Sequence, residues 1–140
     1  MNESSIAPTV GALIVSKSFP RITRATLALY AGASGDHNPM HIDSDFAKHA
    51  GFPDVFAHGM LVMAMLGQAV ADAIHPDRLR SFSTRFVAIT QLGDEIRCEG
   101  TVAELFEADG EPRARLALSA KDGKGEIKLS GEAIVAIQRG

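Results

Sequence analysis

The stretch Met60-Leu61-Val62-Met63-Ala64-Met65-Leu66-Gly67-Gln68-Ala69-Val70-Ala71-Asp72-Ala73-Ile74 is apolar on nearly every side when wound into a helix. Only Gln68 and Asp72 interrupt it, and residues four apart share one helical face. A helix that is hydrophobic all round must be wrapped on most sides by other elements. The segment from His58 to about His75, stopped by Pro76, therefore predicts a buried central helix. Its longest unbroken apolar run, Met60 to Leu66, falls short of the roughly 20 residues a bilayer requires, so no membrane span is expected.

Beyond Pro76 the apolar period changes from helical to two. Arg80 to Thr90 carries Phe82, Phe86 and Ile89; Glu95 to Phe106 carries Ile96, Cys98, Val102 and Leu105; Arg113 to Ala120 and Glu126 to Ile137 continue the alternation. Gly93-Asp94, Asp109-Gly110 and Asp122-Gly123 separate these runs and predict hairpin turns between four consecutive antiparallel strands. Upstream, Val10 to Phe19 predicts a first strand ending at Pro20, and Thr23 caps a short helix through Leu27, Leu29, Tyr30 and Ala31. Gly32 to Pro39 breaks regularity, after which Asp43 or Ser44 caps a helical turn through Phe46, Ala47 and His49 that stops near Gly51 and Pro53. The expected class is α+β: a five-stranded antiparallel sheet with the apolar helix covering its inner face.

The chain has 140 residues, one average domain, with no internal repeat and no Ser/Gly/Pro linker. Hydrophobic residues at 46% and charged residues at 22% exclude a disordered chain. Seventeen acidic residues against fourteen basic ones give a net charge of -3, and the Lys and Arg are scattered, so nucleic acid is not an expected partner. The single cysteine, Cys98, has no disulfide mate and no companions for zinc; alternating with Ile96, Arg97 and Glu99, it reads as an ordinary strand residue. A reducing cytoplasm fits. The first residues, Met1-Asn2-Glu3-Ser4-Ser5, show no basic region followed by an apolar run, so no secretory signal is expected.

Ionisable residues concentrate in Gly35-Asp36-His37-Asn38-Pro39-Met40-His41-Ile42-Asp43, an irregular stretch between apolar helices. Asp36 and His41 flank an Asn-Pro turn that reverses the chain, so both can point into one small volume and hold one water between them. The same residues also suit a purely structural corner, with Asp36 and Asn38 forming Asx turns and His41 packed under the helix. Asp36, His37, His41 and Asp43 are conceivable metal ligands, but their spacing matches no standard zinc pattern, and no metal is expected. At Ala57-His58-Gly59-Met60 a glycine opens the central helix. Its free N–H groups can stabilise an oxyanion, or His58 and Gly59 simply start the helix.

Taken together, Tyr30-Ala31-Gly32-Ala33-Ser34-Gly35-Asp36-His37-Asn38-Pro39-Met40-His41-Ile42-Asp43 and His58-Gly59-Met60-Leu61 resemble the MaoC-like hydratase/dehydratase family. Arg85-Phe86 followed by Leu92-Gly93-Asp94, and Ser130-Gly131-Glu132-Ala133, extend the resemblance over nearly the whole chain. The resemblance implies a hot-dog fold, with a long helix wrapped by an antiparallel sheet. It also implies reversible hydration of a trans-2-enoyl thioester to the (3R)-3-hydroxyacyl thioester. Asp36 and His41 would then be the catalytic pair and Asn38 a supporting residue. The Gly59 N–H would bind the thioester carbonyl, with His58 beside it at the substrate. No cofactor is implied beyond coenzyme A or phosphopantetheine, which belong to the substrate. The implied partners are an acyl-CoA or acyl-carrier-protein thioester and a second hot-dog subunit, in a homodimer or a heterodimer, with the substrate channel beside the interface.

One departure stands out. Some family members carry a hydroxyl side chain about two turns into the central helix, whereas Ala64 to Gly67 offers none. That motivates one alternative, a non-catalytic partner subunit; the same chemistry run as dehydration on a carrier-protein substrate, and a thioesterase, since hot-dog folds also hydrolyse acyl thioesters, stay open beside it. Small residues at Ala64 and Gly67 also leave volume for a bulky acyl chain, unless neighbouring side chains fill it.

Overall fold

A computed structural model describes residues 8–137. In chain order the elements are β1 (Leu13–Ser18), α1 (Arg24–Ser34), α2 (Ser44–His49), α3 (Gly59–Ala73), β2 (Leu79–Phe86), β3 (Arg97–Ala108), β4 (Glu111–Lys121) and β5 (Ile127–Ala136), with short 3-10 turns at Pro39–His41 and Pro76–Arg78. The residues Met1 to Ser5 read above for a secretory signal lie outside the described part. No described helix is long and apolar enough to cross a membrane.

The alternation in the second half of the chain produces the sheet, because every second side chain must face the same side of the pleat. In β4, Ala114, Leu116, Leu118 and Ala120 are buried, and they meet Val15 of β1, Cys98 and Val102 of β3, and Leu129, Ala133 and Val135 of β5 in one core. Against them α3 lays Leu61, Val62, Leu66, Ala69 and Val70. Each large apolar side chain fully buried in this seam stabilises the fold by about 1.5–3 kcal/mol. Cys98 sits inside it, and burial pushes its thiol up to about 12, so it is an unreactive packing residue.

Five antiparallel strands and one central helix are present as expected, but the strand order is β1-β3-β4-β5-β2. The expected hairpin between β2 and β3 does not exist. β2 ends at Phe86 rather than Thr90 and pairs with β5 (Phe82 opposite Ala133), while β3 pairs with β1 (Lys17 opposite Cys98). The intervening residues 87–96 cross the end of the sheet. Their Gly93-Asp94 turn binds Ile22 through Gly93 N–H to Ile22 O (2.8 Å) and Ile22 N–H to Asp94 O (2.9 Å), which launches β3 beside β1. The Asp109-Gly110 turn is a two-residue hairpin as expected, with both residues left-handed (φ 54° and 74°). The turn at Asp122 is wider than expected: Asp122 N–H donates to Glu126 O, and Asp122 Oδ1 accepts from Lys124 and Glu126 N–H.

The central helix is less enclosed than its composition predicts. Met60, Ala64, Gln68, Ala71 and Asp72 are exposed, because a single five-stranded sheet curls around one side of a helix only. Gln68 and Asp72 do share that open face, where Asp72 pairs with Lys17 of β1 at 2.6 Å.

Candidate active site

The first helix runs past the expected break at Gly32 and stops at Ser34. Gly35 ends it in the left-handed conformation (φ 78°), with its N–H bonded to Ala31 O, and this turns the next residue, Asp36, back toward the body of the protein. Two nested Asx turns follow. Asp36 Oδ1 accepts the Asn38 N–H (3.2 Å) and Asn38 Oδ1 accepts the Met40 N–H (3.0 Å), which with Pro39 fixes the 3-10 turn carrying His41. Asp43 then caps α2 by accepting the Phe46 N–H.

This turn is stitched to the segment entering α3. Phe56 N–H donates to Met40 O (3.4 Å), and His41 Nδ1 donates to Phe56 O at 2.7 Å. A carbonyl only accepts, so His41 carries its proton on Nδ1 and presents the Nε2 lone pair. The His58 ring is 98% buried by the same packing: its exposure is 2%. Its Nε2 donates to the backbone oxygen of Asp36 (3.1 Å), its ring stacks on His41 with centroids 3.9 Å apart, and Tyr30 meets it edge-on at 4.8 Å. Burial pushes the His58 pKa down, which outweighs the hydrogen bond to Asp36, and the proximity of His41 lowers it further.

One potential ligand or acid/base atom of each of Asp36, His41 and His58 lies within 4.8 Å of the other two. That span suits a single water held between two acceptors, each at about 2.8 Å. Of the three, Asp36 is exposed and His41 half-buried, while His58 is enclosed behind them. Asn38 serves the turn rather than the cluster. Of the four residues weighed for a metal, the cluster brings together Asp36 and His41 only; Asp43 is the α2 cap, and His37 is not part of the cluster.

Gly59 is the first residue of α3, which no side chain caps; the Leu61 and Val62 N–H groups bond to His58 O (3.0 and 3.4 Å), so the open donors at the positive end of the helix are those of Gly59 and Met60. A Cβ on Gly59 would stand 2.9 Å from two ring atoms of Phe86. A pocket of about 300 Å³ opens here, bounded by His41, Gly59, Val62, Phe86, Ile89 and Lys128. In the stretch without the helix hydroxyl, the Phe82 ring lies 3.7 Å from where a Gly67 Cβ would be, while Ala64 is exposed.

Two supports were not legible beforehand. Asp54 receives both guanidinium nitrogens of Arg24 (3.0 and 2.5 Å) and the Ser44 hydroxyl (2.7 Å), tying the starts of α1 and α2 to the segment before Phe56. Arg24 holds the Asp54 carboxyl well below the usual range, Ser44 and the Val55 N–H adding to the effect. The other is Lys128, 4% exposed within a strand and beside the pocket. No local spacing signals either one.

A five-stranded antiparallel sheet curled on one helix, with an Asp/His pair at the helix start, defines a hot-dog domain of the hydratase and dehydratase class. The chain belongs to the MaoC-like domain family, whose model matches residues 9–117. It is similar to the 3-hydroxybutyryl-CoA dehydratase of Methylorubrum extorquens, at 31% identity over 84% of this chain and 74% of that protein. A segment of the fatty acid synthase beta subunit of Aspergillus oryzae is 39% identical over 77% of this chain. The unliganded R-hydratase PhaJ1 of Pseudomonas aeruginosa superposes with a TM-score of 0.81 and 30% identity, over 94% of this chain and 83% of that one. Several curated relatives are much longer, the chain spanning 5%, 23% and 26% of three of them.

Proposed function

We propose that the chain catalyses reversible hydration of trans-2-enoyl-CoA to (3R)-3-hydroxyacyl-CoA. The observation that carries this is that His41 and the helix start at Gly59 line one pocket, while an Asp36 carboxylate oxygen lies within 4.8 Å of a His41 ring nitrogen beside it. The Asp36/His41 pair binds a water and removes one proton as the water oxygen adds to C3 of the enoyl group. The electron pair of the double bond moves toward the thioester, and the oxygen takes up negative charge. The Gly59 N–H meets that charge in the transition state, where it stabilises more than in the substrate. The pair returns the proton to C2 on the same face, so the atoms of one water are added and nothing else is consumed. Asp36 and His41 act as a coupled unit, and no further cofactor enters the reaction.

The working unit in this reading is a dimer. The edge strand β2 has a partner on one side only, and Phe86, Val87 and Ile89, exposed at 56%, 53% and 41%, line the pocket, with Met60, 54% exposed, next to Gly59 in sequence. A second copy of the chain seated there buries them and closes the channel for the thioester. The relatives named as hydratases and dehydratases support the chemistry.

The test is to incubate the purified chain with crotonyl-CoA and resolve the product by chiral chromatography. Formation of (3R)-3-hydroxybutyryl-CoA is expected. Release of free coenzyme A without hydration, or an inert chain that gains activity only with a second hot-dog subunit, would overturn the reading.

A further inference from the structure

Lys128 is a buried lysine in the pocket wall, and its contacts tie the loop after β2 to the turn between β4 and β5. Its ammonium donates to the Ile89 carbonyl (2.9 Å) and to the Glu126 carboxylate, with Asp94 at 3.6 Å and Asp122 at 3.5 Å. Its own carbonyl accepts two N–H groups, from Val87 (3.0 Å) and Ala88 (3.2 Å). One residue therefore grips residues 87–94 by both backbone and side chain, at Val87, Ala88, Ile89 and Asp94. Asp94 carries the grip further by accepting the Gln91 N–H at 2.8 Å.

That loop faces the site. Phe86 and Ile89 bound the pocket beside His41 and Gly59, and Thr90 O accepts the Ala57 N–H (2.8 Å) two residues before Gly59. Without a cation the three carboxylates would repel one another and the Ile89 carbonyl would lose its donor. Burial alone would drive the proton off Lys128, but Glu126, Asp94 and Asp122 more than offset that, and it stays charged.

We infer that Lys128 is a positioning residue that sets acyl-chain selectivity by clamping the Val87–Asp94 loop into the wall of the acyl pocket. The inference rests on the hydratase reading, with the acyl chain lying against that wall. A longer acyl chain depends on contacts with a fixed wall, whereas a four-carbon chain hardly reaches it. Loosening the clamp therefore penalises the longer ester selectively.

The experiment compares kcat/KM for trans-2-octenoyl-CoA and crotonyl-CoA in wild type, Lys128→Met and Glu126→Gln, with amide hydrogen exchange measured on the same proteins. Glu126 is exposed, so its variant keeps the test open if Lys128→Met does not fold. Leu116→Ala, a cavity in the sheet core, is the control for general destabilisation. The octenoyl-to-crotonyl ratio should fall roughly tenfold in Lys128→Met, the discrimination that about one methylene's worth of pocket contact provides. It should fall less in Glu126→Gln and stay at the wild-type value in Leu116→Ala. Exchange at the Val87, Ala88 and Ala57 amides should accelerate without matching acceleration in β4. An unchanged ratio in both clamp variants, or a ratio that shifts equally in Leu116→Ala, overturns the inference. If wild type hydrates neither ester, the hydratase reading fails, and unaltered loop exchange would separately refute the clamp.

Discussion

The imidazole of His58 lies on that of His41 with the ring planes 26° apart, while its Nε2 donates to the carbonyl oxygen of Asp36. One buried ring thus touches both Asp36 and His41, the proposed catalytic pair. Replacing it by leucine leaves the Asp36 carbonyl without its donor, at a cost of about 1–3 kcal/mol in stability. It also frees the His41 ring to shift, and a displacement near 1 Å costs roughly 10²-fold in rate. His58→Leu is expected to show that loss in kcat, and His58→Gln, whose amide can restore the donor, to recover part of it. Steady-state kinetics alongside urea denaturation check both.

The same burial makes stability pH-dependent. His58 titrates near 6.5 when unfolded and lower when folded, so between those values the unfolded chain binds the extra proton. Stability therefore falls as pH drops below about 6.5. The thermal midpoint should decline between pH 7 and 5.5, and decline less in His58→Gln. Calorimetry over that range reads the difference, and equal slopes would refute the assignment.

At the helix start the contact between Gly59 and Phe86 predicts a compensating pair. Gly59→Ala keeps the backbone donor but sets its Cβ 2.9 Å from two ring atoms of Phe86, so the ring must shift to make room. A roughly tenfold drop in kcat/KM is expected, the scale of a modest change in pocket shape. Adding Phe86→Leu should restore a good part of it. Kinetics on the double-variant cycle give the coupling directly.

Asp54 offers an opposite pH signature. Its pKa is depressed in the fold, so its contribution is complete above its unfolded value of 3.8 and is lost as pH falls further. The pairing with Arg24 is exposed to solvent, so the stability effect of Asp54→Asn should be small. The difference in thermal midpoint between wild type and Asp54→Asn should hold steady from pH 7 to 5 and shrink toward pH 3. Thermal melts at the three pH values test it.

What could be read beforehand was whatever local pattern decides. The run Met60 to Ile74 gave α3, the period-two runs gave four strands and Val10 to Phe19 the fifth, and Asp109-Gly110 gave its hairpin. The Asp36 to Asp43 stretch gave its turn. Strand order was not readable, because β2 finds β5 and β3 finds β1 through long-range pairing that no two-residue turn encodes. Gly93-Asp94 looks like a hairpin in isolation, yet its hydrogen bonds go to Ile22. The Arg24–Asp54 and Lys128–Ile89 contacts join residues 30 and 39 apart in sequence, beyond any spacing rule. Likewise the end of α1 fell two residues beyond Gly32, at Ser34, since one glycine does not break the helix and the left-handed Gly35 is the true stop.

The most direct test is the turnover of Asp36→Asn with crotonyl-CoA. Asparagine keeps the oxygen that accepts the Asn38 N–H, and Asp36 is exposed, so the variant should fold and melt like wild type. It lacks the carboxylate that shares the water's proton with His41, and positioned acid/base groups contribute about 10²- to 10⁴-fold. A loss of about 10³-fold in kcat with an unchanged melting midpoint is the predicted result. A folded Asp36→Asn protein that hydrates crotonyl-CoA at the wild-type rate would contradict the account.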